Sequence, residues 1–126
     1  MVADLSQTVE KAGLLDTHYL DSLEAHLGQS ITADILADGM TELAEKLRRA
    51  DQLAAEEARA ALARMAHEIA GCAGQLGLHA LTLTARGLER TLLRNRRDAC
   101  GGLAAEMCAL GPKSIAALRA RMAAIA

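Results

Sequence analysis

The amino-acid sequence predicts an all-α fold, an antiparallel up-and-down four-helix bundle with a short additional N-terminal helix. Three observations carry that expectation. Hydrophobic residues make up 52% of the chain, yet Phe and Trp are absent and Tyr occurs once, so Ala and Leu, both strong helix formers, supply the apolar content. Proline occurs once and β-branched residues are few, which argues against strands. Apolar positions recur every three or four residues along most of the chain.

Each element follows from local pattern. Residues 1–15 are polar and weakly patterned, and are expected to form an arm; residues 16–126 are expected to form one bundle domain. Asp16 or Thr17 can cap a first helix running to Leu27, with Tyr19, Leu20, Leu23 and Leu27 on one face and Gly28 as its stop. Ser30 or Thr32 can cap a second, in which Ile35/Leu36, Met40, Leu43 and Leu47 recur, with Glu42–Lys46 and Glu45–Arg49 as ion pairs on its wet side. The pattern resets around Ala50–Leu53, which predicts a connection there. A third helix is expected from about Ala54 to Leu76, with Ala55, Ala58, Leu62, Met65, Ile69, Cys72 and Leu76 inward and Gly77 closing it. A fourth runs from about Ala80 to Leu93 or Arg94, and the basic residues Arg94, Arg96 and Arg97 near its end suit the helix dipole. Leu103, Met107 and Leu110 begin a fifth, which Gly111-Pro112 is expected to kink or break.

Bulk properties exclude several classes of function. The formal net charge is −2, so no general basic field draws the chain to nucleic acid or to an anionic membrane. No apolar run reaches the length of a membrane span, and the N-terminus lacks the pattern of a signal peptide. Three cysteines, Cys72, Cys100 and Cys108, are odd in number and widely spaced, which predicts a reduced, cytoplasmic setting. His18, His26 and His79 read as surface or helix-end residues with no metal-site spacing, and no phosphate-binding or nucleotide loop is present. No cofactor and no metal are expected. The arginines from Arg86 to Arg97 lack aromatic interleaving and read as a solvated helix face.

The stretch MAHEIAGCAGQLGL, Met65 to Leu78, stands apart. Three glycines within it each cost about 1 kcal/mol of helix propensity relative to Ala, so something is expected to come close to this backbone. At 100° per residue, His67 lies about 185° from the centre of the expected core stripe, with Ala60, Ala63, Ala70, Gly71 and Gly74 on the same side. If the next turn centres near Leu78, an antiparallel hairpin sets Glu89 level with His67, where its carboxylate would take the Nδ1–H and leave Nε2 as the free nucleophile. The bland alternative is that the small residues let two helices pack closely and that His67 is a satisfied buried residue.

At these residues the chain resembles the histidine-containing phosphotransfer (HPt) domain family of two-component phosphorelays. The family motif has a phospho-accepting His, an apolar residue two positions on, Lys-Gly-Ser, and a Gly ten positions after the His; here these read His67, Ile69, Ala70-Gly71-Cys72 and Gly77. The likeness extends from about Leu20 to Glu89. It implies a phosphocarrier without kinase activity of its own, in which His67 takes a phosphoryl group from one receiver-domain aspartate and passes it to another. It further implies that Gly71 admits the receiver's active site, that Glu89 bonds the imidazole, and that Arg64, Glu68, Ala70, Gly74 and Gln75 join the docking surface. Receiver domains of response regulators or of a hybrid sensor kinase are the implied partners, and a monomer is the expected state. The departure that matters is Ala70, where the family has a Lys that neutralises the phosphoryl group. A binding module that regulates a kinase or receiver without being phosphorylated, and a dimerisation adaptor using the small-residue face, remain alternatives.

Overall fold

The computed structural model describes residues 13–94 and 97–125, with side chains described outside 97–100. Among the described residues there are five helices and no strands: α1 (Thr17–Leu27), α2 (Gln29–Ala55), α3 (Arg59–Gln75), α4 (His79–Leu93) and α5 (Arg97–Ile125). Most of the expected arm, Asn95 and Arg96 lie outside them, as does the side chain of Cys100. Helix α2 packs on α3, α3 on α4, α4 on α5, and α5 back on α2, while α1 lies against α2. Leu36, Leu43, Ile69, Leu81, Leu88, Met107 and Leu118 from these four helices fill the shared core.

Helix α1 forms as the sequence suggests. The Asp16 carboxylate accepts from the Tyr19 amide at 3.0 Å, an N-cap, and Gly28 ends the helix with φ +83°. Helix α1 also braces the α3–α4 turn: the Asp16 amide donates to the Gly77 carbonyl at 2.8 Å, and the Tyr19 hydroxyl to the Gln75 carbonyl at 2.8 Å. Gly77 takes φ +71°, with Leu78 N–H bonding Ala73 O and Gly77 N–H bonding Gly74 O, the Schellman closure. A Cβ on Gly77 would stand 2.9 Å from Leu20 Cγ, so this turn needs glycine twice over.

Several sequence expectations are corrected. Helix α2 starts at Gln29, without a side-chain cap from Ser30 or Thr32, and passes straight through Ala50–Leu53 to Ala55. It ends in the same Schellman pattern, with Glu57 left-handed at φ +56° in place of a glycine, so α3 starts later, at Arg59. Glu45 pairs with Arg48, one residue earlier than expected, while Glu42–Lys46 does form, at 3.7 Å.

Another concerns the last helix. Pro112 lies inside a single helix from Arg97 to Ile125, which does not break. The missing proline N–H costs one bond, yet the neighbouring Gly111 is buried against α2, where a Cβ would meet Leu47 Cδ1 at 2.5 Å. That close approach holds both halves of the helix on the same core, through Met107 before Pro112 and Leu118 after it.

The core face of α3 is also rotated from the expected stripe. Leu62, Ala63, Ala66, Ile69, Ala70 and Ala73 are its buried residues, whereas Met65 and Cys72 are only half-buried. Alanines rather than the bulkier Met and Cys face inward, because small side chains let α4 pack close against α3. Among the described residues, no helix is long and apolar enough to cross a membrane.

Candidate functional site

His67 projects from the middle of α3 with its side chain 74% exposed. Rotation of the buried stripe brings it to about 105° from the core centre, on the flank next to α4 rather than diametrically opposite the core. There its Nδ1 lies 3.0 Å from Glu89 Oε2 of α4. The Gly77 turn fixes this register: eleven residues on either side of Leu78 arrive at one height in an antiparallel pair. Glu89 is 24% exposed, so its carboxylate is shielded on one side while the imidazole stands in solvent. A carboxylate at this distance keeps a proton on Nδ1 and leaves the Nε2 lone pair facing outward.

Two depressions flank the imidazole. The first is lined by Ala60, Ala63, Arg64, Glu68, Glu89 and Leu93 beside His67, and Leu93 contributes an apolar surface 70% exposed. The second, of about 290 Å³, is lined by His67, Ala70, Gly71, Arg86, Glu89 and Arg90. Gly71 is exposed, and a Cβ built on it would meet nothing within 4 Å. Its small size therefore serves no contact among the described residues; it leaves the approach to His67 open.

The other sequence-derived candidates divide. Arg64 and Glu68 border the first depression, and Glu68 is held by Lys46 of α2 at 2.9 Å, a bond that also holds the Lys46 ammonium above its ordinary pKa. Ala70 is 3% exposed and Ala63 is 6% exposed, so both belong to the helix–helix contact more than to an outer face. The close-packing alternative therefore applies to these alanines, while the exposed His67 escapes it. Gly74 and Gln75 are exposed but lie about 10–12 Å along the helix from His67, at 1.5 Å per residue. Gln75 serves the turn, through its carbonyl bond to Tyr19.

Arg86, Arg90 and Leu93 are the residues that sequence reasoning missed. By charge pattern alone Arg86 and Arg90 belong to a solvated face, and the signal that finds them is the hairpin register itself: the pairing that sets Glu89 opposite His67 sets Arg86 opposite Ala70. The remaining histidines do not gather. His18, His26 and His79 are exposed, with His26 Nδ1 2.7 Å from the Ser22 carbonyl, and no group of three metal-ligating side chains occurs among the described residues. Cys72 and Cys108 are free thiols whose pKa values burial pushes up.

The site is thus a bundle helix carrying an exposed histidine, held by a carboxylate of the neighbouring helix and set beside an open glycine. The model of the Hpt domain matches residues 34–126, and the chain belongs to that family. The match runs through the last helix, beyond the Leu20–Glu89 stretch that carries the motif likeness. Neither the curated proteins nor the solved structures give a match to this chain. Hpt domains act in histidine phosphotransfer within two-component signalling, as phosphocarriers rather than kinases, and interact there with receiver domains and kinases.

Proposed function

We propose that this chain is a phosphorelay intermediate that carries a phosphoryl group on His67 Nε2 between receiver-domain aspartates. The observation that carries the reading is the exposed imidazole with Nδ1 3.0 Å from Glu89 Oε2. In the forward step the Nε2 lone pair attacks the phosphorus of a receiver aspartyl phosphate. The N–P bond forms, the acyl P–O bond breaks and the aspartate leaves as carboxylate. The proton stays on Nδ1, where Glu89 balances the positive charge the ring gains. Reversal onto a second receiver regenerates neutral His67. Catalysis of such a transfer consists of positioning and charge stabilisation, which suits a rigid helix presenting one oriented nucleophile.

In this reading residues 16–126 act as one unit, an antiparallel up-and-down four-helix bundle with α1 appended, working as a cytoplasmic monomer. Gly71 is where the partner's active site comes closest, with Arg64, Glu68 and Leu93 bordering it. The test mixes the protein with a ³²P-labelled receiver. Acid-labile, alkali-stable label is expected on the wild type and none on His67→Gln; label that persists in His67→Gln removes the site assignment.

Ala70 supports a second reading, a binding module that docks on a kinase or receiver without accepting phosphate. It predicts micromolar binding to a receiver, unchanged by His67→Ala, with no label on the wild type.

A further inference from the structure

We infer that Arg86, assisted by Arg90, is the cation that holds the phosphoryl group on His67, supplied from α4 across the groove. The inference rests on the phosphocarrier reading and deepens it. A phosphoryl group on Nε2 carries up to two negative charges, and neutralising it is most of what a protein can do for the transfer. On α3 the residue one turn beyond His67 is Ala70, 3% exposed, with no charge to offer. Opposite Ala70 in the hairpin register stands Arg86.

Arg86, Arg90, Ala70 and Gly71 line one depression with His67 and Glu89. Arg86 and Arg90 lie four residues apart, on one ridge of α4, about 60° and 100° round from Glu89 toward solvent. Both are exposed, and their guanidinium groups make no hydrogen bond or ion pair among the described residues. The only acid in that depression is Glu89, already engaged by Nδ1. On the other flank, Glu68 is occupied by Lys46 and Arg64 borders the first depression. Two uncommitted guanidinium groups thus stand beside the one nucleophile, on the side left open by Gly71. A planar guanidinium can give two N–H donors to the phosphoryl oxygens.

The test uses the full-length protein and potassium phosphoramidate as a partner-free donor, followed by ³¹P NMR. Wild type is expected to show a phosphohistidine resonance that His67→Gln lacks. Arg86→Ala should form it about tenfold more slowly, the size of losing one charge-assisted hydrogen bond. The ³¹P titration midpoint of the phosphoryl group should move up in Arg86→Ala, since a cation favours the dianion. Arg86→Lys should recover most of both effects, and Arg90→Ala should show them more weakly. A double variant, Arg86→Ala with Arg90→Ala, that keeps the wild-type rate and midpoint overturns the inference and leaves the phosphocarrier reading standing. A wild type that takes label from neither phosphoramidate nor any receiver overturns the carrier reading and this inference with it.

Discussion

Glu89 distinguishes His67 from the three other histidines. Each described histidine is exposed, but Nδ1 of His67 alone among them meets a carboxylate, and this selects a tautomer. Replacing Glu89 by Ala frees the ring to rotate and removes a charged hydrogen bond of about 1.5–3 kcal/mol, so transfer from a receiver should slow by about ten- to a hundredfold. The measurement is the single-turnover rate, and an unchanged rate would mean that Glu89 only packs. Gly71→Leu addresses the other half of the site. The melting temperature should rise or stay level, since a helical glycine is replaced by a good helix former and no atom of the described residues lies within 4 Å of the added Cβ, while receiver-dependent labelling falls and labelling by phosphoramidate is less affected. Equal loss with both donors would assign the damage to the histidine rather than to docking. The thiols give a pH prediction. Burial raises the Cys72 and Cys108 pKa values above 9.0, so at pH 8 each should react with iodoacetamide more slowly in the native protein than after unfolding. For a group whose folded pKa is raised, the stabilising contribution is complete below the unfolded value and lost as pH rises through the folded one. Native stability should accordingly decline above pH ~9.

At the scale of elements, the α3–α4 hairpin is the device that makes the site. Its register depends on Gly77, and Gly77→Ala sets a left-handed φ against a Cβ 2.9 Å from Leu20. Urea denaturation should show a loss of about 1–3 kcal/mol. The α2–α3 turn is its counterpart with the opposite sign. Glu57 adopts φ +56° with a side chain that disfavours it, and Glu57→Gly should stabilise by up to about 1 kcal/mol. The same contrast explains what was legible. Gly28 and Gly77 announced their turns because glycine is the usual residue for them, whereas Glu57 gave no local signal, and the connection was expected some five residues too early. The pairing of His67 with Glu89 followed from counting outward from Leu78. Arg86 opposite Ala70 follows from the same count, but charge alone made it look like ordinary solvated surface.

For the whole molecule, α2, α3, α4 and α5 share one core, so a cavity in any of them is felt by the site. Leu43→Ala, at a fully buried position of α2 remote in sequence from His67, should cost about 2–5 kcal/mol and lower the melting temperature in one cooperative transition. The all-helical class and the family were determined by the sequence alone, because helix propensity, 3.6-residue periodicity and a short motif are local properties. Tertiary structure decided which face of α3 is inside, because burial of Ala63, Ala66, Ala70 and Ala73 over Met65 depends on how closely α4 approaches. It also decided that α5 continues through Pro112, since Gly111 fits against Leu47 only once α2 is in place. Above all it brought Arg86 and Arg90 to the side of His67, beyond the Glu89 partner that the hairpin count had reached. One rotation of α3 moved the imidazole to the edge of a groove, and the groove's far wall, Glu89, Arg86 and Arg90, belongs to another helix.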